Sequence, residues 1–467
     1  MSDWTIASLT EAIRARKASP VEVTKACLDR IEKLDGRIRS FITVDAEGAL
    51  RAARALEAEA TSGKWRGPLH GVPLAYKDLC HIPGLPTSCG TKIPQYFASD
   101  QECTAVTRLG RTGAITLGKL NMAELALGPF GDNAHHGDVQ NPWRPGHVSG
   151  GSSSGSGAAV AAGFALGALG SDTGGSIRLP AASCGTVGLK PTYGRVSRAG
   201  AMALSWSLDY LGPMTRTVRD AALMLTVIAG HDPADGTSSH RPVPDYVAAL
   251  NGSMSGLRLG VPENYYFESV DPEIESGVRA AVRLLEERGA KAVPIRVPDP
   301  QVMIGVCNAI ARPESAAIHA RLYKERPQDI QPVVRARLEV GFNVPAHVYL
   351  QALRLRARLS RQFIAEVFGQ VDALIAPTIP APAPSYETAK AGSADEVVRR
   401  MGRYSRLTRP FNGLGLPALS VPCGFSQAGL PLAFQVVGRP FDEATILRIG
   451  HAYQEATTWH THRPPLE

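Results

Sequence analysis

Long apolar runs are missing. Nothing in the 467 residues approaches the ~20 consecutive apolar positions a bilayer-spanning helix needs, so no membrane span is expected. Cysteine is scarce, and its seven copies (27, 80, 89, 103, 184, 307 and 423) form an odd set without a CxxC pair. That argues against a disulfide framework or a zinc knuckle and fits a reducing cytoplasm, with the cysteines as small buried hydrophobes. The opening MSDWTIASLTEAIRARK lacks the charged-then-apolar order of a signal peptide and reads as a first helix. HExxH is absent, which leaves a zinc hydrolase without its pattern. The closing Gly-Lys-Ser/Thr of a phosphate-binding loop is absent too, and no GxGxxG follows a strand in the required setting. Neither a metal nor a cofactor is expected, and no repeat of solenoid period is found.

What is present is ordinary for a globular enzyme: 44% hydrophobic and 20% charged residues. The net charge of +7 comes from Lys and Arg interspersed with acids, so a solvated surface is the reading and no nucleic-acid partner is expected. One exception is Arg399, Arg400, Arg403, Arg406 and Arg409, at helix-like spacing, read here as an exposed helix face.

The first sixty residues read as helices: Ser8-Leu-Thr-Glu11 matches a capping box, and Ser19-Pro20 opens a second helix with Val23, Cys27, Ile31 and Leu34 on one face. A further amphipathic stretch runs from Ala49 to Ala58. From about residue 67 to 230 short apolar strands are broken by Gly and Pro; from about 240 to 400 charge and helix pattern dominate; strand texture returns at DALIAPTIP and over 405–467. The alternation indicates an α/β sheet covered by helices, with one core sheet and an inserted, more variable layer.

Residues 149–176 read SGGSSSGSGAAVAAGFALGALGSDTGGS. A flexible linker does not explain them, because Ala158 to Leu169 predicts an all-apolar helix that must be buried. The Ser/Gly run therefore lies at a helix N-terminus, whose free N–H groups favour negative charge. Beyond it, Gly174-Gly175-Ser176 allows a tight turn that projects a hydroxyl and exposes backbone N–H groups of the kind that hold an oxyanion. A serine nucleophile needs a base. No GxSxG elbow surrounds Ser176, and none of the 12 His sits in a comparable Gly-rich or strand-end context; His135-His136 reads as a surface loop. The remaining candidates are lysines, and Lys77, at the end of the apolar strand GVPLAYK, is where desolvation can keep an amine neutral.

Gly71–Leu79 (GVPLAYKDL), Gly150–Gly163 (GGSSSGSGAAVAAG) and Gly170–Ser197 (GSDTGGSIRLPAASCGTVGLKPTYGRVS) together resemble the signature of the amidase signature family of serine hydrolases. The likeness extends to Asn121-Met122, Ala376-Pro377-Thr378 and LPALSVPCGF…GLPLAFQVVG, with 240–400 least specific. It implies one large mixed β-sheet covered on both sides by α-helices, a single amidase signature domain over 1–467. It implies a catalytic triad of Lys77, Ser152 as the bridging serine joined through a cis peptide to Gly151, and Ser176 as nucleophile. The N–H groups of Thr173, Gly174, Gly175 and Ser176 are expected to hold the oxyanion, and Asp172 and Arg178 to support the loop. Ser153, Ser154 and Ser156 are read as loop and capping residues.

The expected activity is hydrolysis of carboxylic amide C–N bonds through a Ser176 acyl-enzyme, extending to carbamates (urethanes), ureas and esters by the same tetrahedral chemistry. The alternative is the glutaminase component of a tRNA-dependent amidotransferase. In that branch an Asp three residues before the Thr of TxPxN helps grip glutamine; here the stretch is Thr408-Arg-Pro-Phe-Asn412 and the position is Ser405, which favours a stand-alone amidase. Met122, Phe130, Ile304, Phe342 and Tyr349 are the expected substrate-pocket residues. The partner is a small-molecule amide or carbamate, and a homodimer is the working assumption.

Overall fold

The structure, a computed structural model, describes residues 4–466. Eleven strands form one mixed sheet: β1 Phe41–Val44, β2 Pro73–Lys77, β3 Ile115–Leu120, β4 Gly167–Ser171, β5 Val187–Lys190, β6 Leu211–Thr215, β7 Arg258–Pro262, β8 Lys291–Ile295, β9 Ala373–Pro377, β10 Ala418–Phe425 and β11 Pro431–Gly438. Their order across the sheet is β1-β3-β2-β4-β6-β5-β10-β11-β9-β7-β8. Strands β2, β4 and β9 are buried residue by residue and β3 nearly so, as expected where helices cover both faces of a sheet. Among the described residues no helix is long and apolar enough to cross a membrane.

The pairing that matters most for chemistry is β2 with β4, parallel, with Leu74 opposite Gly167 and Tyr76 opposite Leu169. Parallel register brings the two C-terminal ends together, so Lys77 and Ser171 emerge side by side at one edge of the core. The segment carrying Asp172 to Ser176 follows directly.

Several local expectations are corrected. The first helix, Ile6–Arg14, is capped by Thr5 rather than Ser8; Ser8 answers as the third residue of the Thr5 box. The apolar stretch 158–169 is not one helix. Ser154–Ala162 is helical, Gly163 ends it in the left-handed region at φ +71, and β4 begins four residues later. Small apolar residues suit a buried helix and a buried strand equally, and only Gly163 marks the change. The middle region adds more than helices, since β7 and β8 extend the sheet. Pro294 is tolerated in β8 because that strand lies at the sheet edge. The predicted N-cap Ser19, with Pro20 at the helix start and Val23, Cys27, Ile31 and Leu34 buried, is found as read. All seven cysteines are free and buried.

Candidate active site

Three lysines are fully buried: Lys77, Lys119 and Lys190. Their surroundings separate them. Lys119 pairs with the Asp78 carboxylate at 3.0 Å and donates to Pro86 O and Thr87 Oγ1, the pattern of a structural lysine. Lys190 lies over the Tyr210 ring and donates to the carbonyl oxygens of Pro191 and Leu416, which have no proton to give. Lys77 instead meets two hydroxyls: its Nζ is 2.7 Å from Ser152 Oγ and 2.8 Å from Ser171 Oγ. No carboxylate pairs with Lys77 among the described residues. Burial pulls its pKa down to about 7, outweighing the opposite pull of Cys80, Asp209 and Asp172.

Ser152 is placed by the glycines before it. The Gly151–Ser152 peptide is cis, and the Ala123 N–H donates to Ser152 O at 3.2 Å. The helix that follows is buried along its whole length. It needs glycine where it passes other backbone, since a Cβ on Gly155 would run into the carbonyl oxygen of Ser40. The neighbouring serines are structural: Ser153 Oγ joins Ser171 N and O at 3.1 Å, and Ser156 Oγ donates to Leu169 O at 3.0 Å, fastening helix to strand β4.

Ser176 lies half-buried on the next turn, in a cavity of about 440 Å³ that Thr173, Gly174, Ile304 and Asn308 also line. The Ser153 N–H donates to Ser176 O at 3.3 Å, so the two serine loops are tied through backbone. Among the described residues no hydrogen bond joins the Ser176 hydroxyl to Ser152; side-chain contacts in a reactive site often tighten only with substrate in place.

Asp172 organises this turn. Its carboxylate accepts from the N–H groups of Gly175 (2.7 Å) and Ile177 (3.1 Å), from the Arg178 guanidinium (3.1 Å) and from Asn412 Nδ2 (2.8 Å). Burial would raise its pKa, but Arg178 prevails and holds the carboxyl at about 2. Arg178, itself fully buried, directs its remaining donors to Thr408 O, Gln435 Oε1 and Asn412 Oδ1. Because the Gly175 N–H is committed to Asp172, three of the four expected oxyanion donors remain: Thr173, Gly174 and Ser176 N–H. The turn requires Gly175 on two counts, φ +132 and a Cβ position that would collide with Thr408 Oγ1. Thr408 in turn donates to Gly174 O at 2.8 Å.

A larger cavity of about 990 Å³ reaches Ser171 and shares Leu204 with the cavity that holds Ser176. Ser171 accepts from Lys77, and its own N–H goes to Ser153 Oγ.

Of the five side chains expected to shape the pocket, Ile304 lines the cavity that holds Ser176. The other four lie elsewhere. Met122 is fully buried in the core, and Phe130 packs on Tyr404 with ring centroids 5.5 Å apart. Phe342 is exposed and packs on Tyr323, while Arg337 and Val340 of the same helix, Pro332–Phe342, line the cavity. Tyr349 donates to Glu314 at 2.8 Å. The arginine stripe is exposed at Arg399 and Arg403, as read, and half-buried at Arg400, Arg406 and Arg409. Arg399, Arg403, Arg406 and Arg409 all border the cavity, and Arg400 turns away to Ala389 O and Ala391 O. His135 and His136 lie in a half-buried turn, where His135 contacts buried Glu124 at 2.9 Å and His136 contacts Thr91 O. Asn308, Arg312, Arg337 and Asn412 were not foreseen.

Comparison with known proteins adds the wider setting. A family model described as Amidase matches residues 22–447. An amidase of Pseudomonas putida is 46% identical, over 99% of this chain and 98% of that protein. The A-type subunit of the glutamyl-tRNA(Gln) amidotransferase of Chloroflexus aurantiacus (strain J-10-fl) is 43% identical, with 99% and 98% covered. A structure solved in work on a vestigial protein complex and the origins of an s-triazine catabolic enzyme superposes with a TM-score of 0.90. It is 33% identical, with 97% of this chain and 98% of that one covered.

Proposed function

The chain belongs to the amidase signature family, and on that footing we propose that it is a stand-alone amidohydrolase cleaving carboxylic amide C–N bonds through a Ser176 acyl-enzyme. The observation that carries this reading is the Lys77–Ser152 contact. A buried amine with a pKa of about 7 meets a hydroxyl at 2.7 Å and forms no ion pair with a carboxylate among the described residues.

In this mechanism neutral Lys77 takes the proton of Ser152 as Ser152 takes that of Ser176. Ser176 Oγ attacks the carbonyl carbon, and the carbonyl oxygen becomes the oxyanion held by the N–H groups of Thr173, Gly174 and Ser176. Collapse breaks the C–N bond, and Ser152 returns a proton to the leaving nitrogen. Water, activated by the same relay, then hydrolyses the acyl-enzyme. Asp172 and Arg178 touch no reacting atom; they hold the turn. Carbamates and esters present the same carbonyl and belong within the proposed range.

The second reading, the glutaminase component of a tRNA-dependent amidotransferase, is favoured by the likeness to the Chloroflexus protein. Against it stands Ser405, where that branch carries the Asp that grips glutamine. Here Ser405 Oγ accepts instead from Arg409 at 2.9 Å. The test is hydrolysis of an anilide, a primary amide, an aryl carbamate, a nitrophenyl ester and glutamine by the isolated chain and by Ser176→Ala. Turnover of non-glutamine substrates, abolished in Ser176→Ala, is the expected result. Activity on glutamine alone would move the assignment to the second reading, and activity surviving in Ser176→Ala would remove Ser176 as nucleophile.

A further inference from the structure

A threonine hydroxyl with no assigned partner can bond the backbone beside it and offer the chain an alternative conformation. That matters at Thr173, whose N–H is one of the three placed to hold the oxyanion. The strand ladder sets its approach. Strands β4 and β6 run antiparallel with Ser171 opposite Leu211, and the Asp172 N–H donates to Tyr210 O at 2.9 Å. One residue further the Thr173 hydroxyl donates to Asp209 Oδ1 at 2.6 Å.

Asp209 is a buried carboxylate, and among the described residues it forms no ion pair within 4.0 Å; nearby Arg198 pairs with Asp235 instead. Burial raises its carboxyl, and the Thr173 hydroxyl and the Ser205 N–H pull it back. Taking such a group out of water is costly unless its oxygens are satisfied. Its second oxygen, Oδ2, accepts from the N–H groups of Leu204 at 2.7 Å and Ser205 at 2.9 Å. One oxygen thus serves the oxyanion turn and the other serves the loop that carries Leu204 and Leu208, both in the wall of the cavity holding Ser176. An amide in its place has a single acceptor oxygen and could not accept from both sides.

The same loop has a second anchor. Buried Glu314, on the helix Pro300–Ile318, accepts from Ser205 Oγ, from Ser207 N at 3.1 Å and from Ser207 Oγ at 2.5 Å. The wall is therefore held from outside as well, and the contact that Asp209 adds is the one to Thr173.

Resting on the Ser176 reading above, we propose that Asp209 is a positioning residue for the reaction, fixing Thr173 through its hydroxyl and holding the Leu204 wall in register with the oxyanion turn. Asp209 touches no reacting atom. Its effect falls on the transition state, where charge gathers on the carbonyl oxygen and calls on the Thr173 N–H, and much less on binding of the ground-state amide.

The test uses Thr173→Val, which keeps the branched shape and the N–H but loses the hydroxyl, with Thr173→Ser, Asp209→Ala and the double variant Thr173→Val with Asp209→Ala. For each, kcat and KM on the amide or ester turned over best are taken per site titrated with a neutral fluorophosphonate. A trifluoromethyl ketone with the same acyl group, which forms a tetrahedral adduct on Ser176, is measured as an inhibitor. Thr173→Val should lower kcat by about tenfold or more, with KM kept within about threefold, since a misdirected donor costs less than the roughly hundredfold of one removed outright. The ketone should weaken by about the same factor as kcat. Thr173→Ser should restore most of both, and Asp209→Ala should cost much less in the Thr173→Val background than in wild type.

A kcat per site within about twofold of wild type in Thr173→Val, or equal weakening of substrate and ketone, overturns the proposal while leaving the amidase reading intact. Fully multiplicative losses in the double variant overturn it as well, because Asp209 would then not act through Thr173. Where Asp209→Ala does not fold, the Thr173→Val and Thr173→Ser pair decides. Failure of wild-type Ser176 to be labelled, with no amide or ester turned over, removes the amidase reading and this inference with it.

Discussion

Lys77 and Ser171 stand at the adjoining ends of two parallel strands, with Lys77 Nζ 2.8 Å from Ser171 Oγ, while the same nitrogen reaches Ser152 at 2.7 Å. The lysine is thus held between two hydroxyls, one leading toward the proposed nucleophile Ser176 and one fixed in the sheet. A hydroxyl that accepts from an ammonium favours the charged form of the lysine. Ser171→Ala should therefore lower the Lys77 pKa further and move the midpoint of the pH–rate profile to lower pH. It should also reduce the maximal rate, because the amine loses one of its two tethers. A midpoint that stays in place or rises would contradict this role for Ser171.

Asp172 gives a stability prediction. Its folded pKa of about 2 lies below the ordinary 3.8, so its contribution to stability is present above pH 4 and is lost as pH falls through about 2. Asp172→Asn leaves the buried Arg178 without its counter-charge and should cost about 3–5 kcal/mol at neutral pH, read by denaturant unfolding. The acid loss of stability between about pH 4 and 2 should flatten in that variant. In the double variant Asp172→Asn with Arg178→Met the loss should be smaller than the sum of the two single losses.

Gly175→Ala addresses the turn itself. The backbone there has φ +132, and the added Cβ meets Thr408. The expected outcome is a loss of about 1–3 kcal/mol from the backbone conformation alone, with hydrolysis falling more steeply than stability, because the same turn aims the Ser176 hydroxyl and the N–H groups beside it. Activity within about twofold of wild type, a difference of less than ~0.5 kcal/mol, would mean that the turn tolerates a side chain and does not set the geometry.

The parts of this arrangement legible in the sequence were those written as local pattern. GVPLAYK reads as a buried strand ending in an amine, and GGSIR as a turn projecting a hydroxyl. The Ser/Gly run before an apolar stretch reads as a buried helix start. The break at Gly163 was not legible, because Ala, Val and Leu suit a buried helix and a buried strand alike. The pocket was the least legible part. Arg312, Arg337 and Arg409 come from separate helices, and tertiary packing alone brings them together at Ser176. The arginine stripe was visible, but spacing does not say which way a helix faces. The Asp172 commitment to Gly175 N–H was likewise invisible, since a hydrogen bond within the turn leaves no mark in residue type.

The central claim is that Lys77, neutral and acting through Ser152, activates Ser176. It is tested most directly by the rate of Ser176 labelling by a neutral fluorophosphonate as a function of pH, in wild type and Lys77→Ala. The account predicts a wild-type rate that rises through a single step near pH 7 and then levels, as burial-lowered Lys77 loses its proton. In Lys77→Ala the step should vanish and the plateau rate should fall by about a hundredfold or more, the scale of a lost general base. A wild-type profile flat from about pH 6 to 9, or one that Lys77→Ala reproduces, would contradict the account.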